Sequence, residues 1–218
     1  MEITVFDLGV IHFQAAWNFQ KEIFRRVREE ELASALIICR HYPVITQSRA
    51  AKKTDILAAD ELLKQKGITI LEVDRGGSTT YHGPGQLTAY PILNLRFFHK
   101  DIHWYLRLLE NTAIDCLNNF GVFPRQISGL SGVWYGQKKI ASIGIAVRNW
   151  ITCHGISINI KADDLANFRL IRPCGMDIEM ASLETILGRD IEIEDVKIGV
   201  IENYKRAFSS REVSLCSK

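Results

Sequence analysis

Residues 75–86 read Arg-Gly-Gly-Ser-Thr-Thr-Tyr-His-Gly-Pro-Gly-Gln and lie between two apolar segments. Four glycines in twelve positions are more than a single tight turn needs. Glycine lets the backbone reach positive φ and lets a ligand touch the main chain, and Arg75, Tyr81 and His82 add hydrogen-bond donors. We interpret the stretch as a binding loop, and the alternative is a tight turn with incidental polar residues. It is not a phosphate-binding P-loop, because no Gly-Lys-Ser or Gly-Lys-Thr ending is present.

The segments on either side of this loop carry helical and strand patterns in an irregular order. Helical spacing of apolar residues is found at residues 13–27, 60–66, 101–120 and 195–208. Strand patterns are found at residues 35–39, 68–73, 132–135, 139–147 and 152–160. Asp101 is a suitable N-cap for the third helix, and Gly121 is a suitable residue to end it. Because strict βαβ alternation is missing, we predict an α+β fold with a mixed or antiparallel sheet flanked by helices.

The composition is that of an ordinary globular chain. Its 218 residues are 47% hydrophobic and 24% charged, so we expect one domain that spans residues 1–218. A net charge of +2 is too balanced for a surface that tracks nucleic-acid phosphates. No apolar run approaches the roughly 18 residues of a membrane helix. We therefore expect neither a nucleic-acid partner nor membrane contact.

The cysteines and histidines do not form a disulfide or metal pattern. The five cysteines are odd in number and scattered without a CxxC pair, which favours a reducing compartment. The histidines show neither an HExxH motif nor a third ligand, so we expect no metal site. His154 precedes a glycine within a predicted strand, and it is either a site residue or a core histidine.

Cys174 differs from the other cysteines because Pro173 and Gly175 place it on a turn. A cysteine at its ordinary pKa of about 8.5 is only a few per cent thiolate at neutral pH, so a nucleophilic Cys174 needs a nearby base or cation. Lys139 is one candidate and His82 is its rival, although a lysine at a hairpin turn is usually a solvated charge. The remaining cysteines fit core or tail positions: Cys39, Cys116, Cys153 and Cys216.

Several separated motifs in this order resemble the lipoyl(octanoyl) transferases of the lipoate pathway, over nearly the whole chain. The family pattern Arg-Gly-Gly-x-x-Thr-Tyr-His-Gly-Pro-Gly-Gln is unbroken at residues 75–86. Further matching positions are Tyr90-Pro91-Ile92, Gly136 with Lys138-Lys139-Ile140, Ser142 with Gly144, His154-Gly155 with Asn159, and Pro173-Cys174-Gly175. The chain departs from the family at Ser48, where a glycine is usual, and in the stretch at residues 176–180.

The resemblance implies a fold similar to the biotin and lipoate protein ligases, and acyl transfer through a thioester on the enzyme. Cys174 matches the acyl-accepting cysteine, and Lys139 matches the lysine that lowers the pKa of its thiol. The acyl pocket implied by the resemblance is lined by Arg75, Gly76, Gly77, Ser78, Thr79, Thr80, Tyr81, His82, Ser142, Ile143, Gly144, Gly155, Ile156 and Ser157. In this assignment His82 is a pocket residue and not the base.

The resemblance also implies partners. The donor would be octanoyl-acyl carrier protein, and the acceptor a lysine of a lipoyl domain in a 2-oxoacid dehydrogenase E2 subunit or of the glycine-cleavage H protein. No cofactor or ATP is needed, and we expect a cytoplasmic monomer. Two alternatives remain: an ATP-dependent lipoate or biotin ligase of the same architecture, and a binding or regulatory module that keeps the fold without the activity.

Overall fold

Ten strands and five α-helices make up the part of the chain that the structure describes. This structure is a computed structural model and describes residues 3–209, apart from the side chains of Cys174 and Ser209. The strands are β1 (Thr4–Ile11), β2 (Ser34–His41), β3 (Val44–Gln47), β4 (Thr69–Glu72), β5 (Thr79–His82), β6 (Gln86–Leu93), β7 (Arg125–Ile127), β8 (Leu130–Tyr135), β9 (Lys138–Arg148) and β10 (Ile151–Asn159). The helices are α1 (Phe13–Arg28), α2 (Asp60–Gln65), α3 (Ile102–Asn118), α4 (Leu183–Leu187) and α5 (Ile193–Ser209).

The strands form one large and one small sheet. The large sheet has seven strands in the order β1-β2-β6-β10-β9-β8-β7, and the small sheet has three in the order β4-β3-β5. β1 runs parallel to β2 and β3 parallel to β4, whereas the other neighbours are antiparallel. The predicted α+β class with a mixed sheet flanked by helices is therefore confirmed.

Helices cover both faces of the large sheet. On β2, Ala35 and Ile37 pack against α1, while Leu36 and Ile38 face the core formed with α3 and α5. Every residue but one of β2 is buried, as expected of a strand covered on both faces. The short apolar run therefore forms a central strand.

The third predicted helix has the expected ends. The Asp101 carboxylate accepts hydrogen bonds from the backbone N–H groups of His103 at 2.8 Å and Trp104 at 3.2 Å. These bonds satisfy two of the donors left free at a helix N-terminus. Gly121 follows the helix with φ +76°, a conformation that glycine adopts without strain.

The glycine-rich stretch differs from its prediction as one continuous loop. It contains β5, whose four residues are buried and pair antiparallel with β3. Neither β3 nor β7 was predicted. Such short strands carry little periodic signal, and pairing with a distant partner stabilises them.

The segment after β10 packs on the small sheet through two 3₁₀ turns, Asp163–Leu170 and Pro173–Gly175. Phe168, Ile171 and Met180 share a core with Ile45 and Tyr81 of the small sheet. Cys174 thus lies on a turn, as predicted, while its thiol and Cys216 lie outside the described part of the chain. No helix among the described residues has the length and apolar character needed to cross a membrane.

Candidate active site

A cleft opens between the large sheet and the glycine-rich stretch, and most of the predicted pocket residues line it. The predicted lining residues found there are Arg75, Gly77, Thr79, Thr80, His82, Ser142, Ile143, Gly144, Gly155, Ile156 and Ser157. Four further residues complete the wall: Phe13, Thr88, Tyr90 and His154. The three segments named by the motifs therefore meet at one place in the fold.

Three predicted pocket residues do not line this cleft. The Ser78 hydroxyl donates to the Asp55 carboxylate at 2.6 Å, and the Tyr81 hydroxyl donates to Asp164 at 3.1 Å. The backbone N–H of Gly76 donates to Ile145 O at 2.7 Å and joins the loop to β9. These three residues stabilise the glycine-rich stretch through hydrogen bonds to residues that do not line the cleft.

Arg75 crosses the edge of the cleft and depends on Gly144 for its path. Its guanidinium donates to the backbone oxygen and the hydroxyl of Thr46, each at 2.8 Å, and to Gly76 O at 2.9 Å. A Cβ on Gly144 would lie 2.8 Å from Arg75 Cδ, closer than van der Waals contact allows. The Ser-Ile-Gly motif therefore leaves room for the arginine.

His82 lies buried in the wall of the cleft as a neutral imidazole. Gln86 Nε2 donates to Asn159 Oδ1 at 3.0 Å, so its Oε1 faces donors, namely Ser157 Oγ at 2.7 Å and His82 Nδ1 at 3.2 Å. Burial, and to a lesser degree the electrostatic interactions with His41 and Arg75, lower the pKa of His82 well below its usual value. Its Nδ1 therefore carries the proton.

His41 lies next to His82, and both of its ring nitrogens form hydrogen bonds. Its Nδ1 donates to Ile11 O at 3.1 Å, so its Nε2 accepts from the Tyr90 hydroxyl at 2.7 Å. Burial lowers the pKa of His41 to about 4. The Phe13 ring packs against both imidazoles, 5.0 Å from His41 and 5.6 Å from His82 between centroids.

His154 is a cleft residue with a carboxylate partner. Its Nε2 lies 3.0 Å from Asp74 Oδ1, and Arg148 bonds the other oxygen of Asp74. The hydrogen bond with His154 is the largest cause of a lowered pKa of Asp74, at about 2. The backbone of His154 has φ +57°, which is uncommon for a residue with a side chain. Two signals in the sequence pointed to His154: the glycine that follows it within a predicted strand, and the match of His154-Gly155 to the family motif.

Asp164 explains the second half of the glycine-rich stretch, and the sequence did not identify it. Its carboxylate accepts from the Tyr81 hydroxyl and from the backbone N–H of Gly85 at 2.6 Å. A Cβ on Gly83 would lie 2.5 Å from both carboxylate oxygens, and one on Gly85 would lie 2.9 Å from Oδ2. Burial raises the pKa of Asp164. The glycines therefore admit a buried carboxylate that fixes the loop.

Lys139 is buried in the sheet, with 1% of its surface exposed. Its Nζ lies 5.4 Å from the centre of the Trp134 ring. Its backbone pairs with the segment that follows Cys174: Lys139 N–H donates to Glu179 O, and Ala181 N–H donates to Lys139 O, both at 2.9 Å. The alternative of a solvated hairpin lysine is therefore wrong. It is neighbouring Lys138 that is exposed, in an ion pair with Glu179.

The Cys174 turn is fixed to the glycine-rich stretch by Asp55. The backbone N–H of Arg172 donates to Asp55 O at 2.7 Å, and the Asp55 carboxylate accepts from the hydroxyls of Ser78 at 2.6 Å and Thr79 at 3.4 Å. Hydrogen bonds to Ser78 and to the Lys52 N–H lower the pKa of Asp55. Asp55 was not predicted as a site residue, because nothing in its sequence neighbourhood marks it.

The other thiols within the described residues are poor nucleophiles. Burial raises the pKa of Cys116 and of Cys153 to about 12, and that of Cys39 also rises. Within the described part of the chain, no cluster of three or more His, Cys, Asp or Glu residues could hold a metal ion.

Solved structures with a similar architecture include lipoate and biotin protein ligases. A putative lipoate protein ligase of T. acidophilum with bound lipoic acid superposes with a TM-score of 0.80 at 17% identity, covering 96% of this chain and 87% of the other. The biotin protein ligase of Aquifex aeolicus with biotin and ATP gives a TM-score of 0.58 at 14% identity, covering 94% and 70%. At such identities the likeness concerns the fold alone.

Sequence comparison is more specific. Residues 12–205 match the family described as the lipoyl protein ligase A/B catalytic domain, and the chain belongs to this family. An octanoyltransferase of Caldicellulosiruptor bescii is 38% identical over 221 residues, covering 100% of this chain and 96% of the relative. One of Geobacter metallireducens is also 38% identical, covering 94% and 93%. Within the family the chain is thus an acyltransferase of the octanoyltransferase group.

Proposed function

We propose that the protein transfers an octanoyl group from octanoyl-acyl carrier protein to a lysine of a lipoyl domain, with Cys174 as the acyl carrier and Lys139 as its acid and base. One observation carries the proposal. The segment that bears Cys174 is bonded through the Arg172 N–H to Asp55, whose carboxylate accepts from Ser78 and Thr79 of the glycine-rich stretch, and through residues 179–181 to the backbone of Lys139. These connections on both sides of the Cys174 turn support a role for Cys174 and Lys139 in one site.

In the first half-reaction the Lys139 amine takes the thiol proton, and the Cys174 thiolate attacks the carbonyl carbon of the donor thioester. The bond to the donor sulfur breaks, and the leaving thiolate takes a proton from the Lys139 ammonium. One thioester replaces another, so this exchange is nearly balanced in free energy. A backbone N–H directed at the oxyanion would stabilise it, and such a donor contributes about 3–4 kcal/mol in known cases.

In the second half-reaction the amine of the acceptor lysine attacks the acyl group on Cys174. Its proton passes to the Lys139 amine, and the departing Cys174 thiolate is protonated from the ammonium. The product is an amide, which is more stable than a thioester, so this step drives the transfer. A neutral, deeply buried His82 is a weak base, which favours Lys139 for these proton transfers. Thiols are kept reduced in the cytosol, so the proposal includes a cytoplasmic location.

The acyl-enzyme is tested by intact mass after incubation with octanoyl-acyl carrier protein in the absence of ATP. We expect a mass gain of one octanoyl group that hydroxylamine removes, and we expect Cys174→Ser to abolish it. Cys153→Ser is the matched control and should keep the adduct, because burial raises the pKa of this thiol. An adduct that survives in Cys174→Ser, or that forms only with ATP, would contradict the mechanism.

The role of Lys139 is tested with two adjacent lysines. Without the base, alkylation of the enzyme thiol should move to higher pH, and transfer should slow by about 10²-fold or more. We expect this of Lys139→Ala and not of Lys138→Ala, whose side chain is exposed. The readouts are the pH profile of iodoacetamide alkylation and the rate of transfer. If both variants keep the parent profile, the acid–base role belongs to another residue.

A further inference from the structure

The side chain of Lys139 passes directly over Gly132 of the neighbouring strand β8. A Cβ on Gly132 would lie 2.4 Å from Lys139 Cε and 3.1 Å from its Nζ, and 2.5 Å from Ala141 O. Real Cβ contacts are not that short, so any side chain at position 132 would displace the lysine or the backbone. The path of the lysine stem therefore requires a residue without a side chain.

The Gly132 peptide is also held by a side chain of α3. Its N–H donates to Oε1 of Glu110 on α3 at 2.9 Å, and Oε2 of Glu110 accepts from Arg107 at 2.5 Å. Glu110 is only 1% exposed. Burying a carboxylate is costly unless hydrogen bonds compensate for the lost water. The bonds of Glu110 to the Gly132 peptide and to Arg107 therefore indicate that the position of this peptide matters.

The backbone of β8 is irregular next to its contact with Lys139. Gly132 has φ +100°, and the pairing of β8 with β9 shifts register between Val133 and Trp134. A bulge of this kind redirects the neighbouring side chains of a strand. Here Trp134 follows the shift and lies opposite Lys139, with its ring 5.4 Å from the lysine nitrogen.

We propose that Gly132 and Glu110 are positioning residues for Lys139. Glu110 fixes the Gly132 peptide, and the absence of a side chain at Gly132 leaves the space in which the aliphatic part of the Lys139 side chain lies. The inference rests on the proposed function, in which Lys139 serves Cys174. Neither residue touches a substrate in this account, and both act only through the placement of the lysine. A misplacement on the order of 1 Å at a catalytic group can lower a rate by about 10²-fold.

Two glycines of the same hairpin provide a matched test. Gly132→Ala and Gly136→Ala both place a side chain at positive φ, but a Cβ on Gly136 meets nothing within 4 Å. We expect Gly132→Ala to move thiol alkylation to higher pH and to slow octanoyl transfer at least about tenfold, with most of the loss in kcat. Gly136→Ala should keep the parent pH profile and rate. A Gly132→Ala enzyme with the parent profile and rate would overturn the inference.

Substitutions of Glu110 test the hydrogen bond and remain informative if Gly132→Ala does not fold. Glu110→Gln keeps an oxygen that can accept from the Gly132 N–H, whereas Glu110→Ala has none. We therefore expect Glu110→Ala to shift the alkylation profile in the direction of Lys139→Ala, and Glu110→Gln to stay close to the parent. Equal effects of the two variants, or none from either, would refute a role through this bond.

The parent enzyme and Lys139→Ala are measured in the same series, so that a failure of the proposed function can be told from a failure of the positioning role. If the parent forms no octanoyl adduct, or if Lys139→Ala behaves as the parent, the proposed function itself fails. If both behave as expected while Gly132→Ala and Glu110→Ala leave profile and rate unchanged, only the positioning role is overturned.

Discussion

Ser48, the residue at which the sequence departs from the pattern of the family that it resembles, has a hydroxyl that bonds to the glycine-rich stretch. It donates to Gly77 O at 2.5 Å and accepts from the Ala50 N–H at 3.1 Å. Its backbone N–H donates to Ser78 O at 3.3 Å. The serine therefore ties the segment after β3 to two successive residues of the glycine-rich stretch, one of which lines the cleft.

Replacing this serine should loosen the cleft wall. We expect Ser48→Ala to lower the free energy of unfolding by about 1 kcal/mol, because Gly77 O loses a buried donor. Urea unfolding measures this change, and faster amide hydrogen exchange at residues 76–80 should accompany it. Thr54→Ala, at an exposed position of the same segment, is the control. Equal stability and exchange in the two variants would mean that the Ser48 hydroxyl contributes nothing.

Residue chemistry singled out candidate side chains, but it did not predict their surroundings. Cys174 was singled out because proline and glycine flank it, but a hairpin lysine such as Lys139 is usually exposed. It is buried because residues 179–181 pair with its backbone. Asp164 supports the stretch at residues 83–85 from about eighty positions further along the chain. Contacts between such distant segments leave no periodic pattern in the sequence, so they cannot be predicted from the neighbouring residues.

At the scale of elements, the long helices were predictable and the short strands were not. α3 has both an apolar stripe and a capping aspartate, and its bounds differ from the prediction by two residues at most. β5 carries polar residues and follows two glycines, so it was interpreted as loop. Its four buried residues depend on β3, a strand that is itself only four residues long. Strands this short form through pairing with distant segments, so tertiary contact decides their structure.

The same elements explain why the site lies where it does. The large sheet supplies Ser142 and Gly155 from neighbouring strands, and the small sheet supplies Thr80 and His82. The cleft is lined by residues of both sheets and by Phe13 from the first turn of α1. The motif order along the chain could not reveal this cleft, because it depends on how the two sheets pack.

At the scale of the whole molecule, the buried histidines predict sensitivity to acid. The pKa of His41 is lowered to about 4 and that of His82 is lowered well below its usual value, both chiefly by burial. In the unfolded chain a histidine titrates near about 6.5. As the pH falls below that value, the unfolded chain binds protons that the folded protein does not, so the free energy of unfolding decreases.

Each such histidine contributes a slope of up to about 1.4 kcal/mol per pH unit, and the contribution of His41 ends once the pH has fallen through about 4. Asp74 acts in a lower window. Its folded pKa of about 2 lies below the unfolded value, so the stability it provides is present above about pH 4 and is lost toward pH 2. Partial exposure of this carboxylate limits its share to about 1 kcal/mol.

Urea unfolding at a series of pH values separates the two windows. We expect His41→Gln, which can still donate to Ile11 O and accept from Tyr90, to reduce the slope between about pH 6.5 and 4 by about one proton. Asp74→Asn should leave that slope intact and flatten the curve only below about pH 4. A parent protein whose stability is constant from pH 6.5 to 4 would show that these imidazoles take up protons in the folded state. The buried wall of the cleft would then have to accept positive charge, contrary to the neutral His41–Tyr90 and His82–Gln86 hydrogen bonds.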